Sequence, residues 1–141
     1  MQQLKDMLEH DDVRGVVRSF TGEVIEFHHP GVKDLFNLIA TQPHVLEGAY
    51  VADRVIGRGA ALLLVYGHVR RVFAKLISEP ALKVLQEAKI LVDYDKVVSN
   101  IINREGTDVC PVEKLTTNIN DPIVAFDRIK DFLINKINIE I

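Results

Sequence analysis

Asn103, Arg104, Asp108, Cys110, Glu113 and Lys114 bring six chemically capable side chains into twelve positions, on a stretch that reads as a loop running into a helix start. Loops held by a rigid scaffold are where binding and catalytic groups concentrate. Cys110 precedes Pro111-Val112-Glu113, a helix opening with proline first, and a thiolate at a helix N-terminus is stabilised by the dipole and by free backbone amides. Lys114 or Arg104 alongside would lower the thiol pKa further, which makes Cys110 the candidate nucleophile. The blander alternative is a small buried hydrophobe, the commoner fate of a lone cysteine.

A second group surrounds the first arginines of the central segment. Arg54, Arg58 and Arg104 can converge on an anionic ligand with Asp53 orienting one of them; ordinary ion pairing at helix ends is an equal alternative. The candidate ligand-binding residues are therefore Asp53, Arg58, Asn103, Arg104, Glu113 and Lys114. His28 and His29 are adjacent, face opposite sides of a strand and cannot share one ion. No other metal-ligand spacing is present. Gly57-Arg58-Gly59 lacks a third glycine and lies within a predicted helix instead of following a strand, and there is no Walker pattern, so neither metal nor cofactor is expected.

Composition narrows the class. A chain of 141 residues with 48% hydrophobic and 26% charged residues fits one globular domain, here taken as 1–141. No apolar run approaches the roughly 20 residues of a membrane span, so no membrane partner is expected. The formal charge of −3 and the scattered basic residues leave no stripe for phosphates, which counts against nucleic acid. A single cysteine excludes intrachain disulfides, and the N-terminus lacks the pattern of a secretory signal; both point to the cytoplasm.

The elements that must position these residues follow from periodicity. Leu4 and Leu8 give a short helix over 2–9, and Val13–Ser19 and Glu23–Phe27 form a hairpin around Gly22. Val32, Leu35, Phe36 and Ile39 mark a helix ending before Pro43. Asp53 can cap a buried helix over Val55–Val65, with Gly67 as its stop. Val69–Ile77 reads as a central strand, Ser78-Glu79-Pro80 as a capped helix start, and Ile90–Tyr94 as a further strand. Lys96–Ile102 is read as helix, Leu115–Ile119 as the last strand. Asn120-Asp121-Pro122 opens a helix whose apolar face is Ile123, Phe126, Ile129, Leu133 and Ile137. This pattern predicts an α/β fold, a three-layer α/β/α sandwich with a mixed sheet.

The segment Phe73–Val84, FAKLISEPALKV, resembles the strand and second metal helix of zinc deaminases. Those enzymes hold zinc through a His-x-Glu or Cys-x-Glu pair on one helix and a Pro-Cys-x-x-Cys turn on the next. Here that turn reads Pro80-Ala81-Leu82-Lys83-Val84, with aliphatic residues at both cysteine positions, and no His-x-Glu or Cys-x-Glu exists. The segments VADRVIGRGAALLLVYG, LISEPALKVL and IINREGTDVCPVEK, with the Asn120-Asp121-Pro122 helix start, resemble a small prokaryotic family of unknown function. That resemblance implies a cytidine deaminase-like fold that has lost its zinc ligands. Overlaying the small-residue helix on the deaminase metal helix puts Ile56 or Asp53 near the metal-ligand position and Arg58 near the proton-shuttling glutamate. A guanidinium cannot shuttle protons but binds anions well.

The expected function is accordingly binding of a small anionic or nucleotide-like molecule in the old active-site cleft. The alternatives are a zinc-independent enzyme using Cys110, and a structural or regulatory homo-oligomer.

Overall fold

Alternation of apolar residues is the rule that builds the sheet, because successive strand side chains point to opposite faces. In the computed structural model, which describes residues 1–103 and 105–140, adjacent pairs such as Val16/Val17, Val51/Ala52 and Val72/Phe73 divide between two separate apolar clusters. One cluster joins Val17, Val51, Val72 and Ala74 to α2 (Lys33–Thr41), α3 (Arg58–Tyr66), α4 (Glu79–Glu87) and α6 (Pro122–Glu140). The other seats Leu4 and Leu8, from α1 (Gln2–Met7) and its C-cap, against Val16, Ala52 and Phe73.

The strands are β1 (Gly15–Arg18), β2 (Val24–Phe27), β3 (Tyr50–Ile56), β4 (Arg71–Ser78) and β5 (Leu91–Val98), in the spatial order β2-β1-β3-β4-β5. β1 is antiparallel to both its neighbours, whereas β3, β4 and β5 run parallel. The protein is thus α/β with a five-stranded mixed sheet. The hairpin at Gly22 forms as expected, with φ +96° supplied by the glycine.

Ser78 caps α4 by accepting from the Ala81 amide at 3.2 Å, with Glu79 and Pro80 in its first turn. α5 (Pro111–Leu115) starts at the expected proline. On α6, Asp121 Oδ1 accepts from the Ile123 amide at 2.9 Å, Ile129 is buried, and Phe126 stacks between Phe36 and Tyr66. Ile123 is 62% exposed and lies off the core-facing stripe; the Ile137 side chain lies outside the described residues.

Three element assignments differ from expectation. Asp53 does not cap a helix: Tyr50–Ile56 is a strand, and the helix begins only at Arg58. A strand covered on both faces shows no clean alternation, and in VADRVIGRGAALLL the apolar residues of strand and helix follow one another with only Gly57 and Arg58 at the junction and no other turn signal. Consequently Gly57-Arg58-Gly59 does follow a strand and open a helix. Lys96–Val98 continues β5 rather than turning helical, since it extends the parallel ladder with β4. Leu115–Ile119 is not a strand. The Thr116 and Thr117 hydroxyls bond back to the Val112 and Glu113 carbonyls at 2.9 and 3.0 Å and close α5 into a turn.

Among the described residues no helix is long and apolar enough to cross a membrane.

Candidate functional site

Asp53 sits in the middle of β3, directly opposite Gly15 of β1, and Gly15 in turn stands opposite Phe27 of β2. A row Phe27–Gly15–Asp53–Ala74 therefore crosses four strands on one side of the sheet. Gly15 leaves the space that the two larger side chains use: a Cβ there would lie 3.0 Å from Phe27 Cδ2 and 3.4 Å from Asp53 Oδ2. Beside this row lies a small crevice of ≈ 60 Å³, lined by Arg14, Phe27, His29, Pro30, Gly31, Asp53, Arg54 and Val55.

Asp53 is half-buried. The Val55 amide donates to its Oδ1 at 3.3 Å, and no side chain hydrogen-bonds to it among the described residues. Burial pushes its pKa up to about 7, against the downward pull of the Val55 and Arg54 amides and of the Arg14 and Arg54 charges. A carboxyl that keeps some access to solvent and titrates near neutrality, in a cleft, is the combination that marks functional sites.

Arg14 lines the same crevice. Its backbone is pinned between Phe27, whose carbonyl it bonds at 2.7 Å, and the Arg54 amide at 3.1 Å. Its guanidinium forms no hydrogen bond or ion pair among the described residues. Arg54 is different. Its guanidinium turns to the carbonyls of Val13, Leu8 and His10 at 2.7–2.8 Å and ties down the chain after α1.

On the third side, Asp34 accepts from the backbone amides of His28 and His29 at 3.0 and 2.9 Å and lies 3.0 Å from His29 Nδ1. That contact favours the tautomer with Nδ1 protonated and Nε2 free. His29 and Phe27 also border a shallow groove of ≈ 280 Å³ between β2 and α2, which includes Ile25, Leu38 and Asn37.

The residues expected to bind ligand are placed apart from this crevice, Asp53 excepted. Arg58 is buried, and its guanidinium donates to the Thr116 carbonyl (2.7 Å), the Ile119 carbonyl (2.5 Å) and Asn120 Oδ1 (2.8 Å). Glu113 is buried too: Oε2 accepts from the Ile101 amide at 2.9 Å, while Oε1 has no partner. Both lie at the first turn of α3, where α5 packs so closely that a Cβ on Gly57 would come within 2.9 Å of Glu113 Oε2, and one on Gly59 would collide with Val112. The space over the α3 N-terminus is filled by the protein's own chain.

Asn103 Oδ1 accepts from the Thr107 and Asp108 amides and shapes its own loop. Lys114 pairs with Asp108. Cys110 is half-buried, donates its backbone amide to the Ile101 carbonyl, and has no side-chain base bonded to it among the described residues. Arg104 lies outside the described residues.

Sequence reasoning passes over Arg14 and weighs His29 only as a metal ligand. The available signal was Gly15, a glycine inside a β-branched strand, which marks close approach of another group. Among the described residues no cluster of three His, Cys, Asp or Glu side chains could hold a metal ion. The crevice can do two things chemically: attract a negative charge through Arg14, and give or take a proton at Asp53.

No curated protein matches the chain. The crystal structure of a DUF1893 family protein, TM1506 from Thermotoga maritima, is similar at 27% sequence identity with a TM-score of 0.83, over 92% of this chain and 87% of that one. Residues 3–133 match the TM1506 family, described as a domain of unknown function, DUF1893; the chain belongs to that family.

Proposed function

We propose that this protein binds a small polar molecule on a cytidine deaminase-like scaffold without zinc chemistry, and that the ligand sits in the crevice between Arg14 and Asp53. The observation that carries this reading is the pairing of an unengaged guanidinium with a carboxyl that has no side-chain partner, at one opening. Its place in the sheet supports it. The chain winds outward from β3 through β4 to β5, while β1 and β2 lie on the other side. The strand order thus reverses next to β3. The neighbour on that side, β1, is antiparallel, so what the crevice shares with the usual ligand position of open α/β sheets is its place by the carboxyl ends of β3 and β2, next to Val55 and Phe27.

The scaffold half of the proposal draws on the same topology. Helices open directly after neighbouring parallel strands, at Gly57-Arg58 and at Ser78-Glu79-Pro80, and the second of these is the strand-to-helix step on which the resemblance to deaminases was read. Where that resemblance would put the paired cysteines, Ala81 and Val84 stand on α4; Ile56 and Asp53, the candidates for the other metal position, lie on β3 and not on the helix that the overlay assumed. The crevice suits a small head group, and a larger ligand would extend into the groove beside α2.

A second reading, self-association, has one observation behind it. β5 presents a free outer edge with Leu91 and Tyr94 62% and 43% exposed. Asp93, Asp95 and Lys96 on the same strand are the kind of charges that discourage edge pairing, so we rank this reading second.

A thermal-shift panel of acetate, propionate, butyrate, nucleosides and nucleotides, at matched ionic strength against chloride, tests the ligand reading. A ligand at 100 times its Kd stabilises by about 2.7 kcal/mol. We expect small carboxylates to raise Tm in the wild type and to lose most of that effect in Arg14→Ala. A flat response across the panel, or a shift unchanged in Arg14→Ala, contradicts it.

A further inference from the structure

We propose that the ligand of the Arg14–Asp53 crevice is a small carboxylate, held by a proton shared between its own carboxylate and that of Asp53, so that binding takes up one proton. The proposal rests on the ligand reading above and names its chemistry and its regulation.

The groups that face Asp53 decide which ligand charge is tolerated. From the segment before β1 comes Arg14; from the loop between β2 and α2 comes His29, whose Nδ1 is engaged by Asp34. On β3 itself is Arg54, whose guanidinium is spent on three backbone carbonyls. β2 contributes the ring of Phe27 and β4 contributes Ala74, neither of them charged. The groove beyond His29 adds Glu26 and His28.

A cationic ligand would meet the free guanidinium of Arg14 at the entrance. An anionic ligand is attracted by Arg14 but meets Asp53 within a crevice of ≈ 60 Å³. Two carboxylates brought within hydrogen-bond distance in that crevice raise each other's pKa, and one proton between them turns repulsion into a short hydrogen bond. Asp53 is suited to hold that proton. Burial already raises its pKa to about 7 despite two nearby guanidiniums, so protonation at neutral pH is cheap.

The balance is simple. The ionised ligand and one proton from solvent enter together, the proton lies between a ligand oxygen and an Asp53 oxygen, and no covalent bond changes. The apolar walls of the adjoining groove, Ile25 and Leu38, give a short aliphatic tail somewhere to lie. Butyrate should therefore bind more tightly than acetate.

Isothermal titration of the full chain with acetate and with butyrate, in Pipes and in imidazole buffers at pH 6, 7 and 8, measures proton uptake directly. Above the Asp53 pKa, uptake should approach about one proton and Kd should weaken about tenfold per pH unit; at pH 6 uptake should be small. Asp53→Asn, whose amide still donates a hydrogen bond, should bind with little pH dependence and no uptake.

Binding without proton uptake in the wild type overturns the shared proton and leaves the ligand reading standing. Persistence of the pH slope in Asp53→Asn, with its loss in His29→Gln, assigns the proton to His29 and likewise overturns it. Failure of both carboxylates to bind at any pH overturns the carboxylate proposal, while a thermal shift with another member of the panel, lost in Arg14→Ala, would leave the ligand reading standing. A circular dichroism spectrum unchanged between the wild type and Asp53→Asn shows that the variant is folded.

Discussion

Gly15 and Asp53 stand opposite each other across the β1–β3 ladder, where a Cβ on the first would just touch Oδ2 of the second at 3.4 Å and crowd Phe27 Cδ2 at 3.0 Å. Two walls of the crevice, Phe27 and Asp53, therefore pack against a residue that contributes no chemistry. Gly15→Val should press on Phe27, disturb those walls and cost about 1–3 kcal/mol, as overpacking in a tight interior does. Urea unfolding gives the stability change. Loss of acetate binding in a variant that still folds separates the disturbed crevice from general damage.

Asp53 also predicts how stability varies with pH. Its folded-state pKa lies near 7, above the usual 3.8, so the folded protein holds this proton more tightly than the unfolded chain does. Stability from this group is fully present below about pH 4 and is lost as pH rises through 7. Because the residue keeps some solvent access, we expect the loss to be on the order of 2 kcal/mol, less than the full shift implies. Asp53→Asn removes the penalty. Urea titrations should show the variant more stable than the wild type at pH 8 and nearly equal to it at pH 4. A difference that is flat with pH would show that Asp53 is ionised and solvated in the folded state.

Arg58 is expected to act as a clamp. Its three acceptors lie on Thr116, Ile119 and Asn120, the turn that joins α5 to α6. Removing a buried charge-assisted donor leaves those acceptors unpaired, so Arg58→Ala should cost roughly 3 kcal/mol or more. Arg58→Lys keeps the charge but not the planar fork and should recover only part of this loss. Hydrogen exchange should quicken first across the α5–α6 turn, and acetate affinity in the folded variant should stay within about twofold of the wild type. Loss of binding with the fold intact would return Arg58 to the ligand site.

The seam between α3 and α5 makes a separate test. Gly59 exposes backbone against which Val112 packs, and a Cβ added there collides with the valine methyl. We expect Gly59→Ala to destabilise by about 1–3 kcal/mol, although alanine is the better helix former. Val112→Ala should make room for it. A double-mutant cycle by urea unfolding should then give a favourable coupling of about 1 kcal/mol. Simple additivity would mean that α5 is not seated on the first turn of α3.

Parts of this architecture are legible in the sequence and parts are not, for physical reasons. Phe73 to Leu85 can be read correctly because its signals agree: a strand-length, mostly apolar run, then Ser78 as a cap, then Glu79 and Pro80 in the first turn. Tyr50–Ile56 defeats the same reading, since a strand buried on both faces shows no alternation and flows into the apolar α3. The end of β5 is obscure because pairing with β4, and not local preference, holds Lys96–Val98 extended.

The crevice is harder still. Arg14, His29 and Asp53 are far apart along the chain, and it is the β2–β1–β3 register that collects them. By contrast, the dense run from Asn103 to Lys114 satisfies itself: Asn103 bonds its own loop, Lys114 pairs with Asp108, and Glu113 holds Ile101. Local crowding of capable side chains signalled a self-contained loop there.

The most direct test of the ligand reading is amide chemical-shift mapping of the isotope-labelled protein during an acetate titration at pH 6. We expect saturable shifts confined to Arg14, Gly15, His29, Gly31, Asp53, Arg54 and Val55. Shifts centred instead on Gly57–Ala60 and Ile101–Lys114, or none at any concentration, would contradict it.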